Sequence, residues 1–176
     1  RLKTEVLGER LRDINPDIRL HELPMYLKEE EVSSLLDGTL NSQSSTAPCS
    51  FIVDAIDTIA PKCALISEAL RRGIPIVSSM GAGAKSDITQ IRFADLWDTY
   101  HCGLAKAVRT RLKKEGLRRP LPVVFSTEQA DRRAIITVEG EQNKKSTTGT
   151  ISYMPAVFGC YLAEYVIRNL KLKIES

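Results

Sequence analysis

The sequence predicts an α/β fold built on a mostly parallel sheet, and three observations carry that expectation. Helix-period segments and β-forming runs alternate along most of the chain. The β-forming runs are apolar without the polar alternation of a half-solvated strand, as strands covered on both faces require. They also recur at the spacing of strand, crossover helix and strand, which is the repeating unit of layered α/β proteins. A length of 176 residues suits one domain, and 43% hydrophobic with 27% charged residues excludes general disorder.

The first helix is expected from Lys3 to Asn15, where Val6, Leu7, Leu11 and Ile14 recur near a period of 3.6 until Asn15-Pro16 ends the pattern. Ile18, Leu20 and Leu23 alternate with polar residues and predict a short strand ending at Pro24. A short helix follows from Glu29 to Leu36, and the polar, proline-closed stretch at 41–48 reads as an exposed loop. Phe51-Ile52-Val53 predicts a strand and Pro61 to Arg72 a helix, with proline suited to a first turn and Gly73 as the stop. Ile74 to Val77 is the next strand, leading into Gly81-Ala82-Gly83-Ala84. Beyond it come a strand at Gln90 to Phe93, a helix from Leu104 to Glu115, strands at Val123 to Ser126 and Ile135 to Val138, a polar stretch, and a final helix from Pro155 to Leu170. That last helix shows Val157, Phe158, Tyr161, Leu162, Tyr165 and Val166, a surface suited to core packing first and to an interface second.

Several chemistries are disfavoured. Four separated cysteines form no C-x-x-C pair, so neither structural zinc nor disulfides are expected, and reduced thiols point to a cytoplasmic compartment. The longest apolar stretch, Ile151 to Ile167, is broken by Pro155, Gly159 and Glu164 and falls short of the roughly 20 clean residues of a membrane span. His21 and His101 belong to no triad or metal pattern, Ser126 has no G-x-S-x-G context, and adjacent His101 and Cys102 make a poor catalytic pair.

Two features remain. FIVDAID places Asp54 and Asp57 at the carboxyl end of a strand, where open α/β sheets bind ligands; Asp57 suits a metal or ribose ligand and a helix N-cap equally well. The Gly81 to Ala84 segment lacks a phosphate-loop pattern and reads first as a flexible turn. The net charge of +3 is too small to imply a polyanion partner unless the cations cluster. They do, as Lys106, Arg109, Arg111, Lys113, Lys114, Arg118 and Arg119, which suits either a solvated helix face or contact with RNA phosphates.

The composite VDAID-x-x-x-x-K with an upstream K-x-E-V-L helix resembles the ThiF/MoeB/HesA superfamily of ubiquitin-activating-type adenylating enzymes. GAGAKSDITQI, VFSTE and the missing C-x-x-C pairs are most similar to its branch that dehydrates threonylcarbamoyladenosine in tRNA. The resemblance implies a Rossmann-like single domain over 1–176 from which the amino-terminal nucleotide-binding βαβ part is missing. It implies ATP and Mg²⁺ as cofactors, with Lys3 on the phosphates, Asp57 on the magnesium, Asp54 and Thr58 in the same crevice and Lys62 as a further phosphate contact. The implied reaction adenylates the substrate carboxylate and closes it into a ring beside the anticodon. The alternatives are adenylation of a ubiquitin-like sulfur carrier and a non-catalytic tRNA-binding or partner-binding domain. Implied partners are tRNA, a second copy of the chain, and a cysteine desulfurase with its sulfur acceptor. Val123 and Ser146 or Thr147 stand where relatives carry cysteines, so a thioester step is not expected.

Overall fold

The computed structural model describes residues 1–39, 49–130, 135–137 and 146–174. In chain order these form α1 (Lys3–Ile14), a 3-10 turn (Glu29–Glu31) running into α2 (Val32–Leu36), β1 (Ile52–Asp54), α3 (Ile59–Arg72), β2 (Ile76–Ser79), β3 (Ile91–Asp95), α4 (Gly103–Lys114), β4 (Pro122–Ser126), β5 (Ile135–Thr137), β6 (Ser146–Thr148) and α5 (Tyr153–Ile174).

The main sheet has the order β1-β2-β4-β3, with β1, β2 and β4 parallel and β3 antiparallel to β4. The mixed α/β architecture with a mostly parallel sheet is the one the sequence predicted. β5 and β6 form a separate antiparallel pair.

Alternation along the strands sends side chains to two apolar layers. Ile52, Ile76, Val123 and Phe125 pack with Cys63, Ile66, Ala69, Val108 and Leu112 of α3 and α4. Val77, Ile91 and Val124 face the other way, against Met154, Phe158 and Leu162 of α5. Helices on both faces therefore bury the sheet, which is why its strands read as continuous apolar runs. Tyr161 and Tyr165 lie with ring centroids 5.3 and 5.5 Å from Phe93. The apolar surface of α5 is thus mainly core.

Element ends follow local chemistry. α3 stops at Gly73, which takes a left-handed φ of 69° and returns its amide to the Ala69 carbonyl. α4 begins at Cys102, whose sulfur accepts the Ala105 amide at 3.5 Å.

One expected strand is absent: residues 18–23 are irregular. Their backbone is occupied by turns instead, with Ile18 N donating to Asn15 O at 3.2 Å and Met25 N to Leu23 O at 2.8 Å. The expected loop at 41–48 and the strand end at Val138 lie outside the described residues. Within the polar stretch that follows, Ser146–Thr148 form β6.

Two opposite rims result from this topology. The carboxyl ends of β1, β2 and β4, the start of α3 and the start of α4 share one rim; the carboxyl ends of α3 and α4 reach the other. No helix among the described residues is long and apolar enough to cross a membrane.

Phe158 is 2% exposed, packed in one cluster with Val77, Ile91 and Val124 of the sheet. Replacing Phe158 with Ala should cost about 3–5 kcal/mol in urea unfolding, the range for emptying an aromatic site in a packed core.

Candidate functional site

At the carboxyl rim the chain buries a charge pair. Asp54, the last residue of β1, is 1% exposed, and Lys62 in α3 is fully buried. Lys62 Nζ donates to Asp54 Oδ2 at 2.6 Å and to Ser79 O at 2.8 Å. Ser78 Oγ donates to the same Oδ2 at 2.5 Å, and Ile56 N to Oδ1 at 3.0 Å. Burial of this kind persists only when both charges and their remaining bonding sites are satisfied. The network ties the ends of β1 and β2 to the first turns of α3.

That arrangement corrects two expectations. Asp54 does not line an open crevice, because both carboxylate oxygens are engaged internally. Lys62 does not stand at a phosphate, because its side chain is enclosed with Asp54. A lysine one turn into a helix reads from sequence as a surface cation; here the acid eight residues earlier draws it inward.

The Asp54–Ile56 bond turns the backbone outward after β1, and Asp57 emerges exposed. The N-cap position falls on Thr58, which makes no side-chain cap bond. Pro61 in the first turn carries no amide hydrogen, as suits a helix start. An anion at this terminus meets backbone donors and the positive end of the helix dipole. Asp57, Thr58 and the start of α3 are therefore together. Lys3 is exposed on the first turn of α1, whose ion pairs run from Arg1 to Glu9 and from Arg12 to Glu22.

Among the described residues no cluster of three or more His, Cys, Asp or Glu could hold a metal. The donor set at the rim, one exposed carboxylate, fits magnesium that arrives on a polyphosphate and keeps waters, rather than a protein-caged ion. A thiol in reserve is not offered by Cys63, whose burial pushes it up to about 11.

The basic block is distributed differently from a solvated stripe. Arg109 donates to Leu96 O and Thr99 O at 3.2 and 2.9 Å and also to Thr99 Oγ1. Arg111 pairs with Glu29 and Glu115, and Arg119 donates to Leu70 O at 2.8 Å. Arg118 lies 5.7 Å from the centre of the Trp97 ring. Lys106, Lys113 and Lys114 are exposed, the last two at the carboxyl end of α4, on the rim opposite Asp57. Much of the charge density thus serves packing between α4 and its neighbours.

Sequence reasoning passed over Lys85 and Glu128. Lys85 is 3% exposed and donates to Ser126 O at 2.6 Å; Glu128 accepts from Ser86 N and Asp87 N at 2.8 and 2.9 Å. The available signal was a lysine between small residues in GAGAKSD, which the phosphate-loop templates do not cover.

The family model for the ThiF family matches residues 1–176. The chain belongs to the ThiF family. It is 33% identical over 180 residues to the tRNA threonylcarbamoyladenosine dehydratase of Bacillus subtilis, covering 98% of this chain and 67% of that protein. It is 31% identical over 188 residues to the Escherichia coli protein of that name, covering 97% and 67%. The crystal structure of the E. coli tRNA N6-threonylcarbamoyladenosine dehydratase in complex with ATP superposes with a TM-score of 0.81 at 29% identity, over 98% of this chain and 65% of that chain. The same enzyme has been solved with AMP, with a TM-score of 0.78. This ThiF chain therefore spans about two thirds of the length of these relatives.

Within this ThiF chain, Lys62→Ala should leave Asp54 buried without its cation and cost about 3–5 kcal/mol in urea unfolding. The double variant Asp54→Asn/Lys62→Met should be distinctly more stable than Lys62→Ala, because no net charge then remains buried.

Proposed function

We propose that this chain forms part of an ATP-dependent tRNA threonylcarbamoyladenosine dehydratase. The observation that carries the reading is Asp57, exposed just past the carboxyl end of β1 at the start of α3, between a buried acid and a buried lysine that satisfy one another. Relatives bearing that name, and the complexes of one of them with ATP and AMP, support it.

The reaction begins with a carboxylate, a poor electrophile until one of its oxygens becomes a good leaving group. Its oxygen attacks the α-phosphorus of ATP; the bond to the β-phosphate breaks and pyrophosphate departs. A nucleophile within the same modified nucleoside then attacks the acyl carbon, closing the ring and expelling AMP with loss of a proton. Because that nucleophile is tethered, the second step gains the large effective concentration of an intramolecular reaction. Asp57 would hold the magnesium of Mg-ATP at the rim, beside the start of α3. When bound, magnesium offsets the charge on the polyphosphate during nucleotidyl transfer. The chain's work is to position and to screen, and the rigid strand ends are what make positioning possible.

Recognition of tRNA draws on the exposed Lys106, Lys113 and Lys114, which add salt-dependent affinity without reading bases. The arginines bound to carbonyls and carboxylates contribute less, because their donors are already used.

The test uses the full-length protein with threonylcarbamoylated tRNA and Mg-ATP, following AMP release and nucleoside mass. Wild type should release AMP only with that tRNA. Asp57→Asn should lower AMP formation by about 100-fold or more, the scale for losing a key electrostatic contact in a transition state, with unchanged circular dichroism. Full activity in Asp57→Asn removes the metal role; AMP formation that follows a carrier protein and ignores tRNA redirects the reading to carrier adenylation.

A further inference from the structure

The stretch that leads into α4 brings an aromatic side chain to the rim of Asp57 and leaves it uncovered. Residues 96–102 run from the foot of β4, where Leu96 N donates to Leu121 O at 2.8 Å, to the start of α4. Tyr100 lies near the end of this stretch and is 50% exposed. Its neighbours hold it from both sides. The Thr99 carbonyl accepts from Arg109 at 2.9 Å, and His101 Nδ1 lies 2.9 Å from the carbonyl of Thr127, just past β4. The ring meets Phe125 of β4 and His101 at centroid distances of 5.6 and 5.1 Å, with interplanar angles of 79° and 82°. Both contacts are edge-to-face, so neither ring stacks on Tyr100 in parallel.

Two exposed cations stand on the neighbouring elements. Arg92 of β3 is opposite Phe125 in the antiparallel pair, and cross-strand partners share a face of the sheet, so Arg92 is on the side where Tyr100 packs. Lys106 is in the first turn of α4, its amide donating to Cys102 O at 3.1 Å. Neither cation has an ion-pair partner among the described residues. Of the nearby acids, Asp95 is engaged by the amides of Trp97 and Leu121, and Glu128 by those of Ser86 and Asp87, while Asp98 is exposed.

An exposed ring beside cations suits an unpaired nucleotide, which offers a π-face to the tyrosine and a phosphate to each positive charge. Fixing the ring beforehand lowers the entropy lost when a base settles on it. The strand order β1-β2-β4, at about 4.8 Å per step, sets the end of β4 about 10 Å from the end of β1. A base at Tyr100 therefore shares its rim with Asp57.

We propose that Tyr100 is a stacking platform for one unpaired base of a single-stranded RNA loop, with Arg92 and Lys106 on the phosphates beside it. The basic residues of α4 add charge alone; this platform distinguishes a loop from a duplex. The inference rests on the reading under Proposed function, in which the loop is the one that carries the modified nucleoside.

The test uses the full-length protein with a fluorescein-labelled RNA hairpin whose loop contains adenine, and a blunt RNA duplex of equal length. Wild type should bind the hairpin more tightly than the duplex. Tyr100→Ala should weaken hairpin binding by about 10-fold, the scale of one lost stacking contact, and leave duplex binding within about twofold. Tyr100→Phe should keep wild-type affinity, because the ring and not the hydroxyl makes the contact. Arg92→Ala should weaken hairpin binding and reduce the slope of log affinity against log salt by about one. Should Tyr100→Ala fail to fold, Tyr100→Leu, which retains an apolar side chain against Phe125 but offers no π-face, takes its place with the same expected loss. Unchanged hairpin affinity overturns the proposal, as does an equal loss for hairpin and duplex or an equal loss in Tyr100→Ala and Tyr100→Phe. A wild type that ignores both RNAs overturns it too and leaves this face to a protein partner. The two readings fail separately. AMP formation with modified tRNA alongside an unaffected Tyr100→Ala sinks the platform alone, whereas no AMP from a wild type that prefers the hairpin through Tyr100 sinks the dehydratase reading alone.

Discussion

The structure depends on a lysine and an aspartate shut inside it. Lys62 and Asp54 meet at 2.6 Å with neither side chain exposed, and the serines that end β2 complete their bonding. Such a pair is an unreliable source of net stability, because desolvating two charges offsets most of their attraction. What it supplies is placement. Two parallel strand ends and the start of α3 can shift against one another only by unpairing a buried charge, so the rim from which Asp57 projects is stiff. An apolar pair of similar volume would fill the space without dictating where the strands stop.

That constraint separates the two ends of the sheet. At one rim stand Asp57, the opening of α3 and the loop at 81–87; at the other lie the carboxyl ends of α3 and α4 with Arg71, Arg72, Lys113 and Lys114. Basic side chains at helix carboxyl ends complement the dipole and pair with nearby acids, as Arg72 does with Asp37 and Glu68. The starts of α3 and α4, meanwhile, lie at the rim of Asp57. The twelve residues of α4 set the two rims about 18 Å apart along its axis.

Much of this was legible before any coordinates. Continuous apolar runs such as Ile76-Val77 announce strands covered on both faces, and α3 and α5 do cover them. The aspartate rim was legible too, because a strand's carboxyl end is a general ligand position. Harder to read was anything set by a distant partner. The 18–23 segment alternates like a strand, yet a strand needs a neighbour and the backbone there turns on itself. Whether β3 runs with or against β4 is not written in its own five residues. Arg111 looks like a free cation until Glu29, 82 positions earlier, meets it. Lys62 looks solvent-facing until Asp54 does. Lys85 and Glu128 lie in the quoted stretches GAGAKSDITQI and VFSTE, yet their contacts could not be read there, because their partners are carbonyls and amides, which every residue has.

The account separates two roles that the sequence pattern merges: Asp54 and Lys62 hold the rim, and Asp57 meets the ligand. A crystal structure of the full-length protein with Mg²⁺ and a non-hydrolysable ATP analogue addresses this directly. It should show the metal beside Asp57 and phosphates at the start of α3, with Lys62 still bonded to Asp54. A metal on Asp54, or Lys62 swung out onto the phosphates, would contradict it.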